Sequence, residues 1–182
     1  MLTISQLAEV LGREYEAVSN WRKRGLMPYA KKIGRDYVLD ADGVFRVRVA
    51  LELVGFADLA LAFKIAQLSP VTVAIELLKD PEVVASFFLV VHPVTLTFKD
   101  NSEPTSDIAV GLLHRRNFAP DEPGGLRFDG SMDLSQVKSV FVMTHGQAVS
   151  SVRPGVRFTI LDLSTLWTET FMSIEKISRD DA

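Results

Sequence analysis

The first 39 residues contain two short amphipathic helical patterns separated by one glycine, and this spacing constrains the fold more than any other feature. Thr3 and Gln6 lie three residues apart, which is the spacing of a capping box and predicts a helix beginning at Ile4. The apolar stripe of this helix recurs at helical intervals and consists of Ile4, Leu7, Ala8 and Leu11. Gly12 is expected to end the helix, because glycine tolerates the backbone conformation of a sharp turn.

A second helical pattern runs from Tyr15 to Arg24, where Gly25 ends it and Pro28 prevents its continuation. The apolar residues expected to face inward are Ala17, Val18 and Trp21. The residues expected to remain exposed, and therefore to face the groove and bind DNA, are Tyr15, Glu16, Ser19, Asn20 and Lys23. Two short helices joined by a tight turn, the second of them polar and exposed, are typical of a helix-turn-helix whose second helix enters the major groove of DNA.

The segment from Lys31 to Leu39 is basic, centred on Gly34, and rich in β-forming residues at its end. It predicts a two-stranded wing with Lys31, Lys32 and Arg35 at or near its tip. Tyr37 lies within this wing, and two roles stay open for it: packing against the next helix or touching a DNA backbone. Asp40 is expected to cap that next helix.

These features resemble the winged-helix DNA-binding domain of MerR-type regulators, over roughly the first third of the chain. The matching residues are Leu2 to Ala8, Leu11-Gly12, Gly25 to Pro28, Tyr37, Asp42 and Leu53 to Phe56. Two features depart from that family. The second helix carries Ser19-Asn20-Trp21 where the family usually has an arginine and paired tyrosines, and no long coiled-coil helix follows Phe56. The segment from Val18 to Gly25 also resembles the recognition helix of phage Cro-type and YdaS-type repressors, and both families bind DNA.

Charge is distributed unevenly along the chain. The net charge is −3, but Asn20 to Arg48 holds eight basic and three acidic residues, an excess of five positive charges. After Lys64 there are ten basic and fifteen acidic residues, an excess of five negative charges. Charge runs are often only solvated surface, but a basic front that coincides with the helical pair favours a face presented to phosphate.

Individual roles follow from the residue types. Asn20 can pair with the edge of an adenine, and Lys23 can reach a guanine or a phosphate. Glu16 either accepts from a cytosine amine or, as the more ordinary alternative, stabilises the positive end of its own helix. The residues expected to contact phosphate are Arg22, Lys31, Lys32 and Arg35. Trp21 is expected to belong to the core rather than to stack on a base.

The rear half has a different pattern and predicts an α+β domain. Strict alternation in Val94 to Phe98 indicates a half-buried strand, and Ile108–His114, Val137–Thr144 and Val156–Leu161 are further strand candidates. A C-terminal amphipathic helix begins near Ser164. The sequence therefore predicts an all-α winged helix-turn-helix domain in residues 1–68, a helical connector in 69–85, and an α+β dimerisation or effector domain in 86–182, closed by that helix.

The C-terminal helix also supplies a hypothesis about assembly. A single helix-turn-helix reads only a few base pairs, so such proteins usually bind as dimers. The apolar stripe expected to pair two subunits consists of Trp167, Phe171, Ile174 and Ile177. The alternative is that this stripe covers the sheet of its own domain.

Several classes of protein are disfavoured by what the sequence lacks. It has no cysteine, so disulfides and thiolate metal sites are excluded. The three histidines, His92, His114 and His145, have no metal-site spacing, and no nucleophile motif, phosphate loop or carboxylate pair is evident. We therefore expect no enzyme, no cofactor and no metal. Without a signal segment or an apolar run of ~20 residues, a cytoplasmic protein that does not enter the membrane is expected.

The sequence thus predicts a transcriptional regulator that binds double-stranded DNA as a homodimer, with RNA polymerase or another protein as a further partner. The alternative is a phage or mobile-element DNA-binding adaptor, such as an excisionase-like or packaging factor, whose rear domain binds a protein. A weaker alternative is an interaction protein that uses the same fold without DNA.

Overall fold

A computed structural model describes residues 1–80, 87–97, 105–114, 149–151 and 159–180. These residues form a mixed structure that is mostly helical and contains two small antiparallel sheets. The chain divides into two compact units, one formed by Met1–Val83 together with Leu163–Ala182, and the other by Val84–Asp162. The second unit is thus inserted in sequence between two parts of the first.

The first unit begins with β1 (Leu2–Thr3), α1 (Ile4–Val10) and α2 (Tyr15–Lys23). The predicted capping box at the start of α1 is confirmed: the Gln6 N–H donates to Thr3 Oγ1 at 3.3 Å, and the Thr3 N–H donates to Gln6 Oε1 at 2.9 Å. Gly12 adopts a φ of 58° between the helices. Only a residue without Cβ takes that backbone conformation readily, which is why the chain turns sharply here.

A hairpin follows, formed by β2 (Lys31–Ile33) and β3 (Asp36–Leu39). Ile33 pairs with Asp36, so the loop has two residues, and Gly34 occupies it with a φ of 61°. β1 pairs with the other edge of β3, Leu2 lying opposite Leu39. This three-stranded sheet therefore places the start of α1 beside the hairpin.

Three further helices complete the N-terminal part of this unit: α3 (Ala41–Leu53), α4 (Leu59–Ile65) and α5 (Ser69–Lys79). Asp40 caps α3 by accepting from the Gly43 N–H, and Asp58 caps α4 by accepting from the Leu61 N–H, both at 2.9 Å. Arg46 on α3 donates to the Ala66 carbonyl at 2.8 Å and to Thr72 Oγ1 at 2.9 Å. One guanidinium thus connects α3 to the end of α4 and to α5.

The C-terminal helix, α6 (Leu163–Asp180), packs against α3 and belongs to the first unit. The Trp167 ring meets the buried Phe45 ring edge-on with centroids 5.0 Å apart, and Arg48 donates to Ser173 Oγ at 3.3 Å. This arrangement differs from the predicted boundaries, in which residues 69–85 were a connector and the last helix closed the rear domain. The reason is that α5 and α6 both bury apolar side chains within the N-terminal unit, among them Val71, Ile75 and Leu163.

The second unit contains a four-stranded antiparallel sheet of β4 (Phe87–Thr97), β5 (Thr105–His114), β6 (Val149–Ser151) and β7 (Thr159–Asp162). β4 pairs with all three other strands, with β6 near one end and β7 near the other. The predicted strands at 94–98 and 108–114 correspond to parts of β4 and β5. The predicted strand at 137–144 lies outside the described residues.

Within the described ranges, no single helix is long and apolar enough to cross a bilayer. α4 and α5 reach that length only together, and a bend of 53° separates them.

Candidate nucleic-acid interface

The inner face of α2 is held by α4. Val18 is fully buried, and the Trp21 ring packs against the Phe63 ring with centroids 5.7 Å apart. Gln67, just beyond α4, donates to the Leu26 carbonyl at 3.3 Å, which ties down the turn that follows α2. Trp21 therefore lies in the packing between helices, as its apolar spacing predicted, and α2 is a braced element rather than a loosely attached one.

The opposite face of α2 is polar and open to solvent. Glu16, Asn20 and Lys23 are all exposed, and their spacing of four and three residues places them along one face of a helix. Asn20 offers an amide, and Lys23 and Glu16 offer opposite charges. This face can present donors and acceptors to the edge of a base pair.

Ser19 differs from the prediction. It was expected on the exposed face, but it is only 8 % exposed. It lies on the flank of α2 that turns toward the hairpin and the start of α1, where neighbouring chain covers it. Tyr15 shares that flank and remains 52 % exposed.

The hairpin presents basic side chains to solvent. Lys32 and Arg35 are exposed and have no ion-pair partner anywhere in the part of the chain that the structure describes. Lys31 is also exposed, but its ammonium lies 3.4 Å from the Asp40 carboxylate. The two lysines of β2 are therefore not equivalent, because only Lys32 carries a charge that no neighbouring carboxylate shares.

Asp40 is held in its charged form by this arrangement. Partial burial disfavours the charge, but the hydrogen bond from the Gly43 N–H and the Lys31 ammonium outweigh it, so the pKa of Asp40 is lower than usual. Lys79 on α5 behaves in the opposite sense: its hydrogen bond to Asp42, at 2.7 Å, raises the pKa of the ammonium.

Arg22 joins α2 to the hairpin through an aromatic contact. Its guanidinium carbon lies 3.9 Å from the centroid of the Tyr37 ring, within the range of a cation–π interaction. This contact adds a role for Tyr37 to the two that the sequence left open: its ring supports an arginine of the preceding helix.

An open cleft of about 300 Å³ lies between the start of α1, the flank of α2 and the hairpin. We call it the hairpin cleft. Its floor and walls include Thr3, Ile4 and Tyr37, and its hydroxyl and charged groups come from Ser5, Tyr15, Ser19, Arg22, Arg35 and Asp36. The sequence did not place Thr3, Ser5 or Asp36 at this cleft. Thr3 and Ser5 come beside the hairpin through the pairing of β1 with β3, which no local pattern encodes.

The residues predicted to pair two subunits have mixed environments on α6. Trp167 and Ile177 are 9 % and 7 % exposed, since both are buried within this unit. Ile174 is half-buried, whereas Phe171 and the neighbouring Met172 are 38 % and 66 % exposed. The helix thus uses half of the predicted stripe inside its own protomer.

Across the described ranges, no group of three or more histidine or acidic side chains is placed to hold a metal ion. Comparison with models of known protein families finds none that matches this chain, and a search of curated proteins finds no significant relative.

Proposed function

We propose that this protein is a sequence-specific DNA-binding regulator of transcription in which α1 and α2 act as a helix-turn-helix and the β2–β3 hairpin acts as a wing. The observation that carries the proposal is the exposed polar face of α2. It lies opposite a face buried against α4, with Trp21 on Phe63, so the helix can enter a groove without losing its support.

Base recognition is assigned to three side chains on that face. Asn20 pairs bidentately with an adenine, and Lys23 donates to a guanine or to a nearby phosphate. Glu16 accepts from a cytosine amine, or acts on its own helix, since it lies in the first turn of α2. The side chains of these three residues make no hydrogen bond within the described ranges. No intramolecular hydrogen bond therefore has to break when they bind DNA.

Contact with the DNA backbone is assigned to the basic side chains of the hairpin. Lys32 and Arg35 have exposed charges without ion-pair partners among the residues described, and such charges bind phosphate by releasing its counterions. Lys31 contributes less, because Asp40 already neutralises part of its field.

Dimerisation completes the proposal. A protein with one such helix per chain gains specificity by reading two half-sites as a homodimer. Of the predicted stripe, the exposed Phe171 and the half-buried Ile174 are still available to a second copy, and the exposed Met172 lies beside them.

The test is selection of bound sequences from a random duplex pool, with Asn20→Ala and Lys23→Ala beside the unmodified protein. The unmodified protein is expected to enrich a short motif. Each substitution is expected to relax preference at one position at a cost of roughly 1–3 kcal/mol for that base.

Two controls separate reading from positioning. Lys32→Ala should weaken binding to all sequences and lower the salt slope by about 0.9, while leaving the enriched motif unchanged. Lys64→Ala, an exposed lysine of α4, should alter neither quantity. If the unmodified protein enriches no sequence, the regulator assignment is wrong.

A further inference from the structure

We infer that the hairpin cleft binds one phosphodiester of a DNA backbone, held between Arg22 and Arg35, so that Tyr15 and Ser19 contact backbone rather than bases. This inference rests on the proposed function and divides its contact residues differently. It reassigns two residues of α2 and adds Ser5 from α1.

The size and the openness of the hairpin cleft favour a segment of DNA backbone as its ligand. About 300 Å³ is at the lower end of the range for small-molecule pockets, roughly 300–1,000 Å³, which suits a phosphate with parts of its two sugars. The cleft is open rather than enclosed, so a continuous strand can pass across it. It also borders α2, the helix assigned to the groove, where a DNA strand would lie.

The charges of the cleft favour a diester. Arg22 and Arg35 each lack an ion-pair partner within the described part of the chain, so both guanidinium groups are available to an external anion. Asp36 contributes one negative charge to the same lining, which leaves a net charge of +1. A phosphodiester carries a single negative charge, whereas a phosphomonoester carries nearly two near neutral pH.

The hydroxyl groups supply neutral donors beside the two cations. Ser19 is nearly buried at the cleft wall, and neither it nor Tyr15 makes a side-chain hydrogen bond within the ranges the structure describes. Hydroxyls of Ser and Tyr are common donors to DNA phosphate oxygens. A hydroxyl fixed on a braced helix loses little freedom when it donates to such an oxygen.

Tyr37 acts as a positioning residue in this arrangement. Its ring lies under the Arg22 guanidinium at 3.9 Å and restricts a long, flexible side chain to the cleft. A guanidinium held over the ring in this way can donate from its edge to two phosphate oxygens at once. A lysine ammonium lacks that planar pair of donors.

The experiment is a methylphosphonate scan of a bound duplex, in which each phosphate in turn loses its charge. With the unmodified protein, one position facing the hairpin should lower affinity about tenfold. With Arg22→Ala or Arg35→Ala, the same substitution at that position should lower affinity by less than in the unmodified protein, and with both arginines replaced it should have little further effect, while other positions keep their effects.

The salt slope provides a second readout. Because both arginines neutralise one phosphate, Arg22→Ala/Arg35→Ala should reduce the slope by about 0.9 in total rather than by twice that amount. Tyr37→Leu should weaken binding roughly 2- to 5-fold, and Tyr37→Phe, which keeps the ring, should not weaken it. Melting curves of each variant verify that the fold is retained, and Arg22→Lys provides a variant that preserves charge.

Each outcome bears on one proposal or the other. If DNA is bound but no phosphate position couples to Arg22 or Arg35, or if the slope losses add in full, the cleft assignment is overturned and the regulator proposal stands. If the protein binds DNA without sequence preference, the scan on a fixed duplex still tests the cleft. If the unmodified protein does not bind duplex DNA, both proposals are overturned.

Discussion

The Asp40 carboxylate joins two elements of the first unit. One oxygen accepts from the Gly43 N–H at 2.9 Å and caps α3, and the other lies 3.4 Å from the Lys31 ammonium of β2. The cap is the larger contribution, since the ion pair is exposed to solvent and such pairs contribute little. Asp40 thus connects the first strand of the hairpin to the helix that follows it.

We predict that Asp40→Ala lowers the free energy of unfolding by about 1 kcal/mol at pH 7, the usual cost of a lost N-cap. Asp40→Asn is the matched control, because asparagine caps a helix nearly as well but carries no charge. Urea unfolding of the three proteins measures both effects. An alanine variant as stable as the unmodified protein would show that the cap contributes nothing.

The same carboxyl group predicts a dependence on pH. Its pKa is lower in the folded protein, so its contribution is complete above the unfolded value, near 3.9, and is lost as the pH falls through the folded value. The stability difference between the unmodified protein and Asp40→Asn should therefore shrink progressively as the pH falls below about 5. Unfolding curves across that interval measure it, and a constant difference would contradict the assigned cause.

At the scale of elements, α6 is part of the support of α3. Trp167 is 9 % exposed and contacts both Phe45 of α3, at 5.0 Å between centroids, and Phe171 of its own helix, at 4.8 Å. Thr170 is fully buried and donates to the Leu166 carbonyl at 2.6 Å, so its hydroxyl has a partner inside the helix. The inner face of α6 is therefore packed like a core.

Truncating a buried side chain on the inner face of α6 should strongly lower the stability of the protein. Trp167→Ala is expected to lower the free energy of unfolding by about 3–5 kcal/mol, since it removes a buried ring and leaves a cavity against α3. Lys176→Ala, at an exposed position of the same helix, should change stability by less than about 0.5 kcal/mol. Thermal or denaturant unfolding compares the two. Equal, small effects would mean that α6 does not stabilise the unit.

At the scale of the whole molecule, the order of the two units along the chain determines which deletions the protein tolerates. The unit of residues 84–162 is inserted between α5 and α6, so the first unit is completed only by residues from the end of the chain. α6 begins at Leu163, directly after the last residue of β7. The two segments of the first unit are thus connected along the chain only through the second unit.

We predict that replacing residues 84–162 with a flexible glycine-serine linker leaves a folded protein whose affinity for DNA changes by less than about threefold, as expected when no contact residue is removed. Truncation after Val83 should instead abolish cooperative unfolding, because α3 loses the helix packed on it. Circular dichroism and DNA titration compare the two forms. A stable, fully active truncated form would show that α6 is dispensable.

Features encoded by residues three or four apart were predictable from sequence. The capping box of Thr3 and Gln6, the glycine turn at Gly12, the hairpin centred on Gly34 and the Asp40 cap are each present where local chemistry placed them. The exposed positions of Glu16, Asn20 and Lys23 followed from the helical period in the same way. Backbone sterics and hydrogen bonds over one turn are sufficient to produce these features.

Features that depend on distant parts of the chain were decided by tertiary packing. Ser19 is buried on the flank of α2 that lines a cleft with the start of α1 and the hairpin, two segments that the pairing of β1 with β3 holds together. α6 belongs with α3 because its apolar face meets side chains that are distant in sequence, as in the contact of Trp167 with Phe45. An amphipathic stripe specifies that a helix must bury one face, but not which surface will cover it. That choice depends on where the rest of the chain folds.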